Sequence, residues 1–196
     1  MARDLTAGVT AVYAVREEHA ATGSTDFTRK NFSLFMNYIV PDRLVIRGNI
    51  GVVQLEGGSL SGHPLVTTDS TISYYLGAAV LGLRLERGFS ETFGQGQNFG
   101  FVETSSVSGS MAYKFTPSLS GLITGGYREN KFTGEGGGGQ AGETDKITSA
   151  GAHITYQIFR WLSASLDYRY TNRTSSNSLN SYVENLARAA LTASFY

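Results

Sequence analysis

The chain has no cysteine among its 196 residues. That removes disulfides, thiolate chemistry and cysteine-based zinc sites together, and it is compatible with passage through an oxidising periplasm. A long apolar run is also missing. The longest, Tyr74 to Leu83, is interrupted by Arg84, and a membrane-crossing helix needs about 20 such residues, so no helix spans. Net charge is absent too: 16 Lys and Arg balance 16 Asp and Glu, which leaves no cationic footprint of a nucleic-acid binder. Proline occurs only 3 times, so Pro41 and Pro117 read as punctuation between elements. The opening residues, MARDLTAG, lack the basic and apolar regions of a secretory signal. If the protein is exported, this chain is expected to be a mature or recombinant form, or the C-terminal part of a longer one.

What is present is glycine, at 24 residues, and aromatics, at 12 %, and this combination suits strands that form a barrel wall. The last sixteen residues, Ser181 to Tyr196, carry the pattern most clearly. Val183, Ala187, Ala189, Leu191, Ala193 and Phe195 share one parity, with Asn185 the polar member, while Glu184, Arg188, Thr192 and Ser194 share the other. A two-residue period is a strand. One continuous apolar face and one polar face fit a wall between lipid and a polar lumen. The mean hydropathy of −0.13 does not contradict this, because a barrel places only every second residue in lipid.

The same alternation recurs along the chain. Leu5 to Val15, Phe32 to Val40, Leu44 to Gln54, Thr68 to Leu76, Leu81 to Glu86, Val102 to Phe115, Leu119 to Phe132, Thr148 to Ile158 and Leu162 to Thr171 each read as strands. Val53 and Leu55 break parity and suggest a bulge. Tight turns at Pro41, Pro117 and Arg160 alternate with longer connections rich in Gly and Ser, including Gly57 to Thr67 and the glycine run Gly136 to Gly139. Short turns on one side and long loops on the other are the asymmetry of outer-membrane barrels. Keeping every tight turn on one side requires a hairpin within Thr68 to Phe93. The sequence therefore predicts an all-β fold: a single antiparallel up-and-down transmembrane β-barrel domain over residues 1–196, with about ten strands in a range of eight to twelve.

The segments VETSSVSGSMAYKFTPSLSGLITGGYREN, from Val102 to Asn130, and WLSASLDYRYTNRT with the ending YVENLARAALTASF resemble β-barrel porins of Gram-negative bacteria. They look in particular like the outer-membrane proteins associated with exosortase-type systems. The terminal strand is similar to the aromatic-ended last strand of such barrels, with Phe195 penultimate and Tyr196 after it. The resemblance implies an outer-membrane barrel with a structural or porin-like role, located in the bacterial outer membrane, and brings no catalytic residues with it. Lipid and, during insertion, the barrel assembly machinery are the partners expected of such a protein.

The polar parity collects Arg84, Glu86, Arg128, Asp167, Arg169, Glu184 and Arg188. Two readings follow: opposite charges pair across neighbouring strands and fill a narrow lumen, or they line a conduit and set its ion preference. His153 shares this face with Ser149 and Glu184, which opens a second class of function, a lipid-modifying hydrolase. The alternative is a hydrogen-bonded interior histidine. A soluble ligand-binding barrel of lipocalin type is the third class. It is disfavoured because a face rich in Ser, Thr, Arg and Glu cannot form a dry core. His19 and His63 are isolated, so neither a metal nor another cofactor is expected. Tyr38, Tyr113, Phe115, Tyr156, Trp161 and Phe195 fall near the tight-turn ends, where rings favour a lipid interface, and should form one girdle, with Phe99, Phe101, Tyr127 and Tyr170 toward the other rim.

Overall fold

The computed structural model describes residues 3–20, 23–56, 64–94, 97–133 and 142–194. These form one ten-stranded sheet in sequence order: β1 (Asp4–Ala20), β2 (Gly23–Val40), β3 (Leu44–Glu56), β4 (Pro64–Leu76), β5 (Ala79–Gly94), β6 (Gln97–Lys114), β7 (Leu119–Thr133), β8 (Thr144–Phe159), β9 (Leu162–Ser175) and β10 (Tyr182–Ala193). Every neighbouring pair is antiparallel, the up-and-down meander that the alternation and turn spacing require. Among the described residues no ladder joins β10 back to β1.

The connections on one side are short for identifiable reasons. Between β2 and β3, Pro41 presets one dihedral and Asp42 takes a positive φ of 57°, while the Arg43 amide donates to the Val40 carbonyl at 3.1 Å. This is the pattern of a type II turn. Between β4 and β5 lies the hairpin that the turn alternation demands. Only Gly77 and Ala78 separate the paired residues Leu76 and Ala79, and Gly77 has φ 58° at the first central position, as a type II′ hairpin requires. At the β6–β7 turn the Thr116 hydroxyl accepts from the Leu119 amide at 3.0 Å and the Ser118 amide at 3.3 Å. At the β8–β9 turn the Gln157 side-chain amide donates to the Leu162 carbonyl at 3.2 Å.

Several strands extend beyond the alternating segments. β2 begins at Gly23, β4 at Pro64 and β6 at Gln97, and β9 runs to Ser175. The terminal strand is Tyr182–Ala193, and Phe195 and Tyr196 lie outside the described residues, as does the Gly136 to Gly139 run. The bulge expected at Val53 and Leu55 is absent: both ladders of β3 pass Val53 in unbroken register. Val53 is instead an apolar residue on the inward parity, 1 % exposed. Register shifts occur at Glu91/Phe93 and Gln157/Phe159.

The sheet has almost no conventional core. Val53, Leu65, Ala79 and Val102 are the buried apolar residues among those described, whereas Val9, Phe32, Ile50, Leu83, Ile123, Ile154 and Leu191 stand open on the outward parity. A water-soluble sheet would have to cover such a face. Its upper edge is sharp. Counting outward residues from the tight turns, the first charges are Lys30 on β2, Arg87 on β5, Glu103 on β6, Glu129 on β7 and Lys146 on β8. The intervals are 10 residues for Val40–Lys30, Tyr113–Glu103 and Leu119–Glu129, 8 for Ala79–Arg87 and 12 for Ile158–Lys146. At about 3.3 Å per residue and a tilt near 45°, ten residues rise about 23 Å, close to the apolar band of roughly 25 Å on outer-membrane barrels. Above that edge the charges pair: Arg87 with Glu103 at 2.8 Å, and Lys131 with Glu129 at 3.1 Å.

Candidate functional site

The inward parity forms rows that run across the strands. One row reads Thr6, Asn37, Arg47, Thr71, Arg84, Ser108, Gly126, Ser149, Thr171 and Glu184 from β1 to β10. All seven charges expected in the lumen lie on this parity: Arg84 and Glu86 on β5, Arg128 on β7, Asp167 and Arg169 on β9, and Glu184 and Arg188 on β10. Six of them, all but Glu184, line two clefts.

The first cleft, of about 380 Å³, lies over β5 to β9. Arg84 sits at its side, 3.3 Å from Asp69 of β4 and 3.8 Å from Glu86. Arg128 and Arg169 also line it, and neither has a side-chain partner among the described residues. Glu184, beside Thr171, has none either. Cross-strand pairing thus holds for Arg84, with Asp69, whereas Glu86 meets Arg84 along the same strand, and Arg128, Arg169 and Glu184 have no such partner among the described residues.

The second cleft, of about 410 Å³, lies toward the tight turns and shares Arg169 with the first. Here His153 Nδ1 meets Asp167 Oδ1 at 2.6 Å, and Nε2 meets the Thr155 hydroxyl at 2.7 Å. Arg188 approaches the other oxygen of Asp167 at 3.9 Å. The association of His153 with Ser149 and Glu184 is therefore corrected. Ser149 is four residues along the same strand, and Glu184 pairs with Thr171, because cross-strand register places Asp167 opposite His153. The carboxylate, imidazole and hydroxyl are in line, but a hydrolase also needs donors aimed at a developing oxyanion. The β8 amides around His153 are engaged in the ladders to β7 and β9. The arrangement ties β8 to β9 and β10 through side chains.

At the rim opposite the tight turns, β8 and β9 continue above the apolar band. Arg173 bonds Asp145, which is 1 % exposed, and a 3-10 turn at Ser178–Asn180 folds back so that Asn177 and Asn180 donate to Glu143 at 3.0 and 3.2 Å. Asp69, Asp145 and Arg173 are lumen-parity residues that the alternation did not single out. Asp69 was legible from its place two residues before Thr71. Asp145 and Arg173 fall where both faces are polar and no period marks a strand.

The aromatic residues divide by height. Tyr38, Tyr113, Phe115, Tyr156 and Trp161 lie at the tight-turn ends, with Tyr113 and Phe115 edge to face at 4.9 Å and Trp161 stacked on Phe159 at 5.7 Å. Phe195 lies outside the described residues. Tyr127 and Tyr170 stand toward the other rim, and the Tyr127 hydroxyl donates to Glu129 at 3.3 Å.

A family model described as "Putative beta-barrel porin 2" matches residues 77–195, more than half of the 196-residue chain. The chain belongs to this porin family. The porin's fold recurs in solved outer-membrane proteins. One is OmpTdeltaL8, a loop L8 deletion mutant of OmpT, an outer membrane protein of Vibrio cholerae: TM-score 0.52, 13 % identity, 96 % of this chain covered. This chain spans 62 % of that protein's length. Another is the NanC porin, with TM-score 0.52, 11 % identity and 98 % of both chains covered. At such identities the likeness is one of fold. No curated protein matches the chain. The family and the fold together make this a porin-like, membrane-embedded β-barrel.

Proposed function

We propose that this porin-like barrel is an integral protein of the bacterial outer membrane, with a structural or solute-handling role and no enzymatic one. The observation that carries the reading is the outward face, which on β2, β5, β6, β7 and β8 carries no charge over about 8 to 12 residues from the tight turn and on β5, β6 and β7 is bounded above by paired charges. In lipid, unpaired strand edges are not tolerated, so the barrel closes by pairing β10 with β1. Parity allows it: Leu5, Val9 and Tyr13 face outward on β1, as Val183 and Leu191 do on β10. Outer-membrane lipid is its permanent partner, and the barrel assembly machinery is its partner during insertion.

With ten strands the lumen is little wider than that of eight-stranded barrels, which side chains fill, and far narrower than that of sixteen-stranded porins. Arg84, Glu86, Arg128, Asp167, Arg169 and Arg188 project into it. The protein alone is therefore expected to give little or no steady conductance in planar bilayers. Two measurements test the reading together. A heat-modifiable, detergent-requiring band supports the membrane barrel, and large stable currents from a monomer would overturn the occluded lumen. An ester-hydrolase activity abolished by His153→Ala would overturn the non-enzymatic role.

A further inference from the structure

We infer that the first cleft is a binding site for a small multivalent oxyanion, a polar solute carrying carboxylate, sulfate or phosphate groups. The inference deepens the porin-like reading and rests on it, because the site faces the lumen. Its floor is the row Ser108, Gly126, Ser149 and Thr171, contributed by β6 to β9 in register. None of these hydroxyls has a side-chain partner among the described residues.

Arginines stand on three sides of that floor. Arg84 is level with it on β5, next to Ser108. Arg128 lies one inward position above Gly126 on β7, and Arg169 one below Thr171 on β9. Successive arginines are two strands apart, about 9.5 Å across the sheet, and with the offset along the strands their backbones lie about 12 Å apart for Arg84 and Arg128 and about 16 Å for Arg128 and Arg169, so it is the extended guanidinium stems that reach toward one ligand. Glu86 is the one carboxylate lining the cleft, and it and Asp69 both meet Arg84, so the guanidiniums without a carboxylate partner among the described residues are those of Arg128 and Arg169. Guanidinium forks match carboxylate, sulfate and phosphate oxygens with paired charge-assisted hydrogen bonds.

The glycine at the centre makes room. A Cβ on Gly126 would come within 3.3 Å of the Ser108 Cβ and 3.5 Å of the Ser149 hydroxyl, so any side chain there would fill the floor between the two serines. A purely structural charge ladder has no use for an open, hydroxyl-lined floor beneath Arg128 and Arg169, which have no side-chain partner among the described residues. A cleft of about 380 Å³ is also of small-molecule size.

The test uses the full chain folded in detergent micelles, titrated calorimetrically with sodium citrate and sodium phosphate, with glucose and tetraethylammonium chloride as uncharged and cationic controls. Citrate is expected to bind, weakening as salt is added, with no binding by the controls. Arg128→Gln combined with Arg169→Gln should lower the affinity by about tenfold or more, since each removes charge-assisted hydrogen bonds. Gly126→Val and, separately, Ser149→Val keep every charge and should also weaken binding severalfold. Citrate binding that is unchanged in both of these variants would place it outside the cleft and overturn the site, as would no citrate binding by the wild-type chain. Heat-modifiability on the same samples reports whether the barrel has formed, so a failure of the barrel reading is distinguished from a failure of the site.

Discussion

Replacing Ile123 by arginine separates a lipid-facing wall from an ordinary protein surface. Ile123 is 63 % exposed and is the middle of the five outward residues of β7 between its tight turn and Glu129, namely Leu119, Gly121, Ile123, Gly125 and Tyr127. At about 3.3 Å per residue and a tilt near 45°, it lies about 9 Å above Leu119 and so near the middle of the apolar band. On a water-facing sheet, exchanging so exposed a side chain would change stability by no more than about 0.5 kcal/mol. At the midplane of a bilayer an arginine on the lipid face costs about 2 to 4 kcal/mol, falling to about 0 to 1 near the interfaces. The expected loss is therefore roughly 30- to 1,000-fold in the folding equilibrium. Thr124, the next residue, faces inward, and Thr124→Arg should cost under about 1 kcal/mol because the charge stays in water. Leu119→Arg, at the turn end, should fall between them. Denaturant titration in lipid vesicles, followed by the heat-modifiable band and by fluorescence of Trp161, the single tryptophan, reads all three. Equal costs for Ile123→Arg and Thr124→Arg, or a larger one for Thr124→Arg, would refute the assignment of faces.

Two further expectations follow from described contacts. His153→Ala removes the bonds to Asp167 and Thr155 at 2.6 and 2.7 Å and should lower stability by about 1 to 2 kcal/mol, the lesser figure applying because water reaches the site; an unchanged denaturation midpoint would show that the tie is incidental. Because the chain has no cysteine, Val12→Cys with Ala190→Cys, flanked by the Thr10→Cys and Ala14→Cys alternatives, probes closure on a clean background, since the unbroken ladders align Thr6 with Glu184 and a tilt of about 35–45° shifts the closing register by about 10 to 14 residues. An intramolecular disulfide from one of these pairings in membrane-inserted protein is expected, and exclusively intermolecular disulfides would mean that β1 and β10 pair with other copies.

The wall was legible because lipid imposes one rule on every second residue. Strands such as Thr148 to Ile158 and Leu162 to Thr171 alternate strictly for that reason, and on the second the parity sets Asp167 and Arg169 on the face opposite Leu166 and Tyr168. The β4–β5 hairpin was legible only indirectly, from the need to keep the tight turns on one side, since Gly77 and Ala78 are too ordinary a pair to announce a turn. Above the apolar band both faces are wet, the period disappears, and the strands continue unseen. Asp145 and Arg173 lie beyond the alternating segments Thr148 to Ile158 and Leu162 to Thr171, although their ladder is intact. Val53 misled in the opposite sense: an apolar residue on the lumen side looks like a break in register. Which carboxylate meets His153 depends on the cross-strand register, a quantity that no single strand contains. The alignment Gln157–Ser163 to His153–Asp167 supplies it.

A meander in which each strand pairs with the next in sequence also has a kinetic meaning. The four hairpins built on tight turns close loops of only a few residues, whereas joining β10 to β1 must close a loop of nearly the whole chain. With loop-closure entropy growing as three halves of RT times the logarithm of length, that ladder is disfavoured by about 3 kcal/mol relative to a tight hairpin as a first contact of the unfolded chain. The sheet can therefore grow one strand at a time while its first and last edges wait. A factor that held the Asp4–Ala20 and Tyr182–Ala193 edges near each other would speed only that final step, without having to guide any of the pairings that precede it.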